Sequence, residues 1–288
     1  MSTSNDASEN ESTYFIDAEN AAEMARLTIQ DRLTTKAMGG LFPEQADLSS
    51  IHDMLDIACG PGGWALDVAQ AYPEKKVTGI DISRLMIAYA QAQAREKGLT
   101  NTYFQVMDAL KPLAFADNSF DLVNSRFIFS FMPSDAWPKL LQECKRILQP
   151  GGIIRLTESE WYFTNSPAYE RLHGMVTRAM HLAGLSFSPD GRMVGITPVL
   201  ARLLQNAGFT GIEERAYVIN LSAGTEAHQG LYRNLLAFLK LIQPFLIKTG
   251  VTTQAEADNL YYLAMDELTS DEFCAISFLL TAWGKKPA

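Results

Sequence analysis

The sequence lacks the features that mark several classes of protein. Its 24 Lys and Arg residues are scattered among 33 Asp and Glu residues, which gives a formal net charge of -9 without any basic run. A nucleic-acid partner is therefore not expected, because contacts between basic side chains and phosphates supply much of the affinity of such proteins. No uninterrupted apolar run reaches the roughly 18 residues from which a membrane span is predicted, so none is expected here.

Cysteine is also scarce. The three cysteines, Cys59, Cys144 and Cys274, are odd in number and far apart. They fit neither a disulfide framework nor the spacing of a zinc site, so no metal site is predicted. The chain does not start with the basic and apolar segments of a signal peptide. Together these absences predict a soluble, cytoplasmic protein.

The beginning of the chain divides into two segments. Residues 1–13 are polar and acidic, which predicts a disordered tail. A helical pattern follows over residues 20–38, with Asp17 as its predicted cap and a Gly-Gly pair as its end. No linker rich in Gly, Pro or Ser divides the rest of the chain, so residues 46–288 are predicted to form one domain.

Strand and helix patterns then alternate along the chain. Five apolar stretches rich in Val, Ile and Leu are predicted strands, at residues 51–58, 76–82, 101–109, 120–129 and 153–159. Amphipathic helices are predicted between them at 63–72, 83–98 and 134–148, with Ser134 as the cap of the last. This alternation is typical of a parallel sheet covered by helices on both faces.

The second half is less regular. Two more strands are predicted at residues 211–221 and 273–286, and helices at 166–184, 197–209, 225–248 and 253–268, with a kink at Pro244. The predicted fold is a doubly wound, Rossmann-like α/β domain with a seven-stranded, mostly parallel sheet and an antiparallel C-terminal strand. Helical insertions at about 162–192 and 224–270 are predicted to project from that sheet.

The stretch MLDIACGPGGW at residues 54–64 reads as a strand, a Gly-rich loop and the start of a helix. Gly60, Gly62 and Ala65 fit the loose dinucleotide fingerprint G-x-G-x-x-G/A, and Asp81 follows about 20 residues later. Such a loop presents backbone N–H groups to a ligand. A nicotinamide-dependent oxidoreductase is therefore one possible interpretation.

Acidic residues at three predicted strand ends favour a different cofactor. Asp56, Asp81 and Asp108 stand at or beside the ends of the first three strands. The carboxyl ends of the strands in an open parallel sheet line one crevice, so these acids are expected to face one ligand. That ligand needs an amino group, a ribose and an adenine amine, each of which pairs with an acceptor.

This order of motifs resembles the class I S-adenosylmethionine-dependent methyltransferases, in particular the small-molecule branch related to ubiquinone and menaquinone methyltransferases. The resemblance covers roughly residues 14–160, with Ala58 in place of the first glycine of the family's loop. It implies that Asp56 and the loop hold the methionine moiety, that Asp81 accepts from the ribose hydroxyls and that Asp108 accepts from the adenine amine. The implied cofactor contacts are Tyr14, Gln30, Asp56, Ala58, Cys59, Gly60, Gly62, Asp81, Ile82, Met86, Asp108, Ala109, Asn124 and Ser125.

Two further segments carry the resemblance. Tyr14 and the following ExxRLxxQ pattern resemble an N-terminal helix that covers the cofactor in such enzymes, which implies a lid over residues 14–45. The segment SRFIFSFM keeps the family's Arg at Arg126, whereas Ser130 and Phe131 stand where a histidine is often found. The sequence therefore names no catalytic base.

The resemblance implies an enzyme that moves the methyl group of S-adenosylmethionine to a small-molecule acceptor by in-line displacement. Two alternatives stay open at this point. One is the nicotinamide-dependent oxidoreductase, and the other is a protein that binds S-adenosylmethionine without transferring its methyl group. The sequence decides neither the acceptor nor the oligomeric state.

Overall fold

The computed structural model describes residues 14–45 and 47–288, so the predicted tail at residues 1–13 lies outside the described residues. The strands are β1 (Asp53–Ile57), β2 (Lys76–Asp81), β3 (Thr102–Val106), β4 (Phe120–Arg126), β5 (Leu148–Ser159), β6 (Phe163–Thr164), β7 (Thr210–Asn220) and β8 (Ala275–Lys285). The α-helices are α1 (Ala21–Met38), α2 (Gly63–Ala71), α3 (Arg84–Glu96), α4 (Trp137–Ile147), α5 (Pro167–Leu182), α6 (Leu200–Asn206), α7 (His228–Leu241), α8 (Gln243–Lys248) and α9 (Gln254–Glu267).

The strands form one sheet whose first five members are parallel. Their spatial order is β3-β2-β1-β4-β5, and β8 follows β5 in the antiparallel direction. β7 then pairs antiparallel with the other edge of β8. The predicted mostly parallel sheet with an antiparallel C-terminal strand is confirmed.

Helices cover both faces of this sheet. Neighbouring residues on β1 point to opposite sides, because Met54 packs in the core beneath α2 and α3 while Leu55 packs in the core beneath α4. Leu122 and Val123 on β4 divide in the same way. Strands buried on both faces explain the continuous apolar runs in the sequence.

The sheet contains one strand more than predicted. β6 is only two residues long and pairs with the first residues of β8, where Phe163 lies opposite Ile276. Its pairing is set by the later strand β8, and so short a segment has no alternation from which a strand could be predicted.

Two predicted helix caps are wrong. The side chain of Asn20, and not that of Asp17, accepts the hydrogen bond from the first turn of α1, while Asp17 accepts from the Glu19 N–H in the preceding turn. The helix predicted from Ser134 begins at Trp137, after a turn in which the Ser134 N–H donates to the Gly184 carbonyl. The Asp17 side chain closes a local turn just before its helix instead of capping it, whereas the Ser134 backbone joins a distant segment.

The C-terminal helices lie between β7 and β8. The long helix predicted over residues 225–248 is divided at Ile242, so that Pro244 lies in the first turn of α8, where its missing N–H leaves no helical bond unmade. Over residues 14–45 and 47–288, none of the helices combines the length and the apolar character that a membrane crossing requires.

A buried ion pair within α1 lies at the contact of this helix with the rest of the fold. The Arg26 guanidinium donates from Nε and Nη2 to both carboxylate oxygens of Glu23, at 2.7 and 2.6 Å, and both side chains are buried. Arg26 also donates to Gln30 at 2.5 Å and to Asn234 of α7 at 3.4 Å, and the Tyr14 hydroxyl donates to Glu23 at 2.5 Å. The hydrogen bond from Arg26 of α1 to Asn234 of α7 therefore depends on a neutralised pair of charges.

Replacing Arg26 by Met should destabilise the protein by about 3–5 kcal/mol, because Glu23 would remain buried without its counter-charge. Chemical denaturation followed by circular dichroism measures this change. Arg32→Met is the matched control, because Arg32 is exposed on the same helix. An Arg26→Met protein as stable as the control would contradict the role assigned to the pair.

Candidate active site

A cavity of about 230 Å³ opens at the carboxyl ends of the parallel strands. Asp56 near the end of β1, Asp81 at the end of β2 and Asp108 just after β3 all line it. Arg126 from the end of β4 and Ser159 from the end of β5 continue the same wall. The sheet therefore brings the three predicted acids into one crevice, as parallel strands require.

The Gly-rich loop between β1 and α2 turns through unusual backbone conformations. Ala58, Gly60 and Gly62 have φ values of 56°, 53° and 81°, in the left-handed region that favours glycine. Ala58 adopts this conformation despite its Cβ, at a position where the related loops carry glycine. A Cβ on Gly62 would lie 2.8 Å from the Cβ of Ala90, so this glycine is needed for close contact between the loop and α3.

Asp81 is held ready by the loop itself. Its carboxylate accepts hydrogen bonds from the Gly60 N–H at 2.9 Å and from the Ser83 N–H at 2.9 Å. Burial raises the pKa of Asp81, and these two N–H groups oppose that rise. Each carboxylate oxygen keeps a further lone pair for a ligand hydroxyl.

Asp56 lies in a less polar setting. Burial raises the pKa of Asp56 to about 7, and the nearby Arg126 and the Asn124 amide oppose this rise. The Asn124 Nδ2 donates to Asp56 Oδ1 at 2.7 Å, and its Oδ1 accepts from Arg155 at 2.7 Å. Arg155 is in turn paired with Glu44, and both side chains are buried. A buried polar chain thus runs from the cavity through β4 and β5 and fixes the orientation of the Asp56 carboxyl group.

The far end of the cavity is apolar. Trp161 and Phe238 have ring centroids 5.2 Å apart, and Phe129 meets Trp161 edge-on at 6.2 Å. Ile219 from β7 and Leu235 from α7 also line this end. The cavity therefore joins a polar end with three acids to an aromatic end closed by α7.

Comparison with known proteins adds the family. The family described as "Methyltransferase domain" matches residues 54–152. A probable methyltransferase, ltbC, of Aspergillus luteorubrus is 30% identical over 186 residues, which cover 62% of this chain and 62% of that protein. The demethylmenaquinone methyltransferase of Geobacillus stearothermophilus is 27% identical over 179 residues, covering 59% of this chain and 75% of that protein. Residues 54–152 therefore match a methyltransferase domain, and the chain is similar in fold to a solved methyltransferase that binds S-adenosyl-L-methionine.

Solved structures agree with this family at the level of the fold. The YcgJ protein from Bacillus subtilis has a TM-score of 0.54 at 19% identity and covers 88% of this chain and 99% of its own. Phosphoethanolamine N-methyltransferase 2 of Haemonchus contortus, solved with S-adenosyl-L-methionine, has a TM-score of 0.53 at 20% identity. The match covers 88% of this chain and 52% of that chain. The match to the ltbC protein spans less than two thirds of that relative's length.

The residues that line the cavity fit S-adenosylmethionine, with which the similar methyltransferase from Haemonchus contortus was solved. The cofactor carries an ammonium group, a ribose and an adenine amine, and the polar end of the cavity offers one carboxyl group for each in Asp56, Asp81 and Asp108. Met86 and Ile82 line the same cavity with apolar side chains, which suit an adenine ring. Cys59 lies in the loop as a thiol, because burial raises its pKa well above the usual value.

Most of the residues predicted to contact the cofactor lie in the cavity wall. Those that line it are Tyr14, Gln30, Asp56, Ala58, Cys59, Gly60, Asp81, Ile82, Met86, Asp108 and Ala109. Gly62, Asn124 and Ser125 do not line the cavity. Gly62 faces α3, Asn124 lies behind Asp56, and the buried Ser125 hydroxyl donates to the Ile57 carbonyl at 3.0 Å. These three shape or support the wall instead of forming it.

The residues at the aromatic end of the cavity are not among the contacts predicted from the sequence. Trp161 and Tyr162 line the cavity, whereas Phe163 is 61% exposed. One signal was present in the sequence: Asn234 directly precedes the apolar residues Leu235 and Leu236 of α7, and it is buried.

The two acids at the end of β5, Glu158 within the strand and Glu160 just after it, are already engaged. Glu158 is fully buried and accepts from the Ile128 and Phe129 N–H groups, so it holds the segment after β4. Glu160 accepts from the N–H groups of Val194 and Gly195, at 3.0 and 3.1 Å, and from Thr197. Within the described ranges, no histidine lines the cavity and no group of side chains could hold a metal ion.

The raised pKa of Asp56 predicts a pH dependence of cofactor binding. An ammonium group binds the ionised carboxylate, so the affinity for S-adenosylhomocysteine should rise about tenfold between pH 6 and pH 8, through the pKa of about 7. Calorimetry across this range measures the effect. Asp56→Asn should remove the dependence, and Asp53→Asn, on the same strand but outside the cavity, should keep it. Equal affinities at both pH values in the wild type would contradict this assignment.

Gly63 leaves space for Asp31 of α1. A Cβ on Gly63 would lie 2.1 Å from Asp31 Oδ2. Gly63→Ala should therefore displace Asp31, break its ion pair with Arg126 and loosen α1 on α2, with faster trypsin cleavage after Arg32. Gly174→Ala on α5 is the control, because nothing lies within 4 Å of the added methyl group. Unchanged cleavage in the Gly63→Ala protein would rule out this role of the glycine.

Proposed function

We propose that the protein transfers the methyl group of S-adenosylmethionine to a small, mainly apolar acceptor. The observation that carries this proposal is the single cavity, in which the acids at the strand ends face an aromatic compartment closed by α7. Its relatives include methyltransferases named for demethylmenaquinone, which is consistent with an apolar acceptor.

On the cofactor side, we assign one contact to each acid. Asp81 accepts from the ribose hydroxyls, Asp108 from the adenine amine, and Asp56 pairs with the ammonium group. When bound, the cofactor supplies a methyl group on a positively charged sulfur, which is electrophilic without further activation. The protein then has to hold the acceptor in line with that bond, and such positioning can lower the barrier by about 7–11 kcal/mol.

On the acceptor side, the wall excludes water and offers no proton acceptor that is not already engaged among the described residues. Glu160 accepts from four donors, and the charge of Glu23 is matched by Arg26. Burial raises the pKa of the Tyr14 hydroxyl well above its usual range, so it does not act as a base. This arrangement favours an acceptor whose nucleophilic atom carries no proton at the working pH.

We further propose that α1 and the helices α7–α9 form a lid over this cavity, with residues 14–45 as its N-terminal part. Arg26 joins α1 to α7 across the opening, and Tyr14 and Gln30 line the cavity beneath it. The three cysteines are free thiols, which supports a reducing, cytoplasmic location.

Calorimetric titration with S-adenosylhomocysteine tests the cofactor assignment. The wild type should bind it, and Asp81→Asn should weaken binding at least about tenfold, because a charged acceptor of hydrogen bonds is lost. Glu96→Gln, an exposed change on α3, should bind as the wild type does. Binding of NADH without binding of S-adenosylhomocysteine would overturn the proposed function.

Methyl transfer itself is tested by incubating the protein with S-adenosylmethionine and a panel of small apolar compounds whose nucleophilic atom carries no proton at neutral pH, such as nitrophenolates, tertiary amines and thioethers. Release of S-adenosylhomocysteine that depends on an acceptor, detected by mass spectrometry, is the expected result. Binding of the cofactor without release for any compound of the panel would support a protein that binds S-adenosylmethionine without methyl transfer.

A further inference from the structure

Two hydrogen-bond donors in the wall of the cavity have no partner among residues 14–45 and 47–288. The Trp161 indole Nε1 and the Asn234 amide Nδ2 are buried atoms without a hydrogen-bond acceptor, and both residues line the cavity. The orientation of the Asn234 amide is set by Arg26, which donates to its Oδ1. A buried donor without a partner is costly, so each calls for an acceptor atom supplied from elsewhere.

The two donors belong to one compartment. Trp161 packs on Phe238 with ring centroids 5.2 Å apart, and Asn234 lies one helical turn before Phe238 on α7. The Arg26 guanidinium lies 5.5 Å from the centre of the same Phe238 ring and 3.4 Å from Asn234 Oδ1. Both donors therefore border the aromatic end of the cavity, away from Asp81 and Asp108.

Two other polar side chains of this compartment, Arg26 and Tyr14, are already paired. Arg26 donates to Glu23, Gln30 and Asn234, and the Tyr14 hydroxyl donates to Glu23. A ligand oxygen that entered this end would therefore meet the N–H groups of Trp161 and Asn234, which have no other acceptor among the described residues. Flat apolar atoms would meet the rings of Phe129 and Phe238, which favour stacked or edge-on contacts.

We propose that the acceptor is a flat, mainly apolar molecule with a carbonyl, phenol or enol oxygen, and that Trp161 and Asn234 donate hydrogen bonds to that oxygen. Both are specificity-determining residues in this assignment. It rests on the proposed function, because it takes the aromatic end of the cavity as the acceptor site. The two donors discriminate between an oxygenated ring system and its hydrocarbon analogue, since the latter would leave both unpaired.

The test compares 1-tetralone with tetralin, which differ only in the carbonyl oxygen. Each is titrated by calorimetry into the complex of the full-length protein with S-adenosylhomocysteine. The wild type should prefer the ketone by roughly tenfold, as expected for hydrogen bonds to buried donors. Trp161→Phe and Asn234→Asp should each reduce this preference to below about threefold. Asn234→Leu, which introduces no charge, should do the same.

Matched controls separate specificity from folding. Trp283→Phe on β8 and Asn206→Asp on α6 make the same chemical changes at residues that do not line the cavity, and they should keep the preference. S-adenosylhomocysteine should bind all these variants within about twofold of the wild type. If the wild type did not bind S-adenosylhomocysteine, the proposed function would be overturned. If it bound S-adenosylhomocysteine but did not prefer the ketone, only the assigned donors would be overturned.

A nuclear magnetic resonance measurement on the wild type tests the proposal without depending on the folding of any variant. The indole ¹H–¹⁵N resonance of Trp161 should shift when 1-tetralone is added to the S-adenosylhomocysteine complex and stay in place with tetralin. A wild-type preference below about threefold, no binding of either compound, or an equal shift with both would overturn the proposal. A preference that survives the change of one residue would remove that residue from the assignment.

Discussion

The cavity exists because the charge of one buried arginine is neutralised. The Arg26 side chain projects from α1 into the interior, where burial of an isolated guanidinium would be prohibitive. Its bidentate contact with Glu23 removes that cost. The same guanidinium reaches Asn234, so α1 and α7 meet above the crevice instead of leaving it open. The attachment is polar on one side and aromatic on the other, because Phe238 packs beneath the guanidinium.

Beneath that cover, the chemistry follows from the direction of the strands. Parallel strands bring their carboxyl ends to one edge, so residues distant in sequence share a wall. The loop after β1 adds its own constraint, since Ala58, Gly60 and Gly62 take left-handed conformations that bring the Gly60 N–H to Asp81. The polar end of the cavity is thus preorganised before any ligand arrives, whereas the aromatic end retains two donors that lack acceptors.

A second buried chain of polar groups supports the polar end from behind. It connects Asp56 through Asn124 and Arg155 to Glu44, which also accepts from the Tyr217 hydroxyl at 3.2 Å. Such a chain is stable only when every member is paired, so its residues orient one another. This explains why Asn124, at a strand end where the cofactor was expected, contacts a neighbouring carboxyl group and not the cavity.

The sequence by itself determined the alternation of strands and helices, the loop and the three acids, because apolar periodicity and Gly-rich turns are local properties. It also pointed to the family, since four motifs in order are specific where one is not. Only the tertiary structure decided that Asn124 and Ser125 face inward, that Glu160 holds a loop and that Trp161 and Asn234 border one compartment. Those assignments depend on which side chain reaches which partner across the sheet and between α1 and α7. Contacts between residues as far apart as Arg26 and Asn234 leave no local pattern in the chain from which they could be predicted.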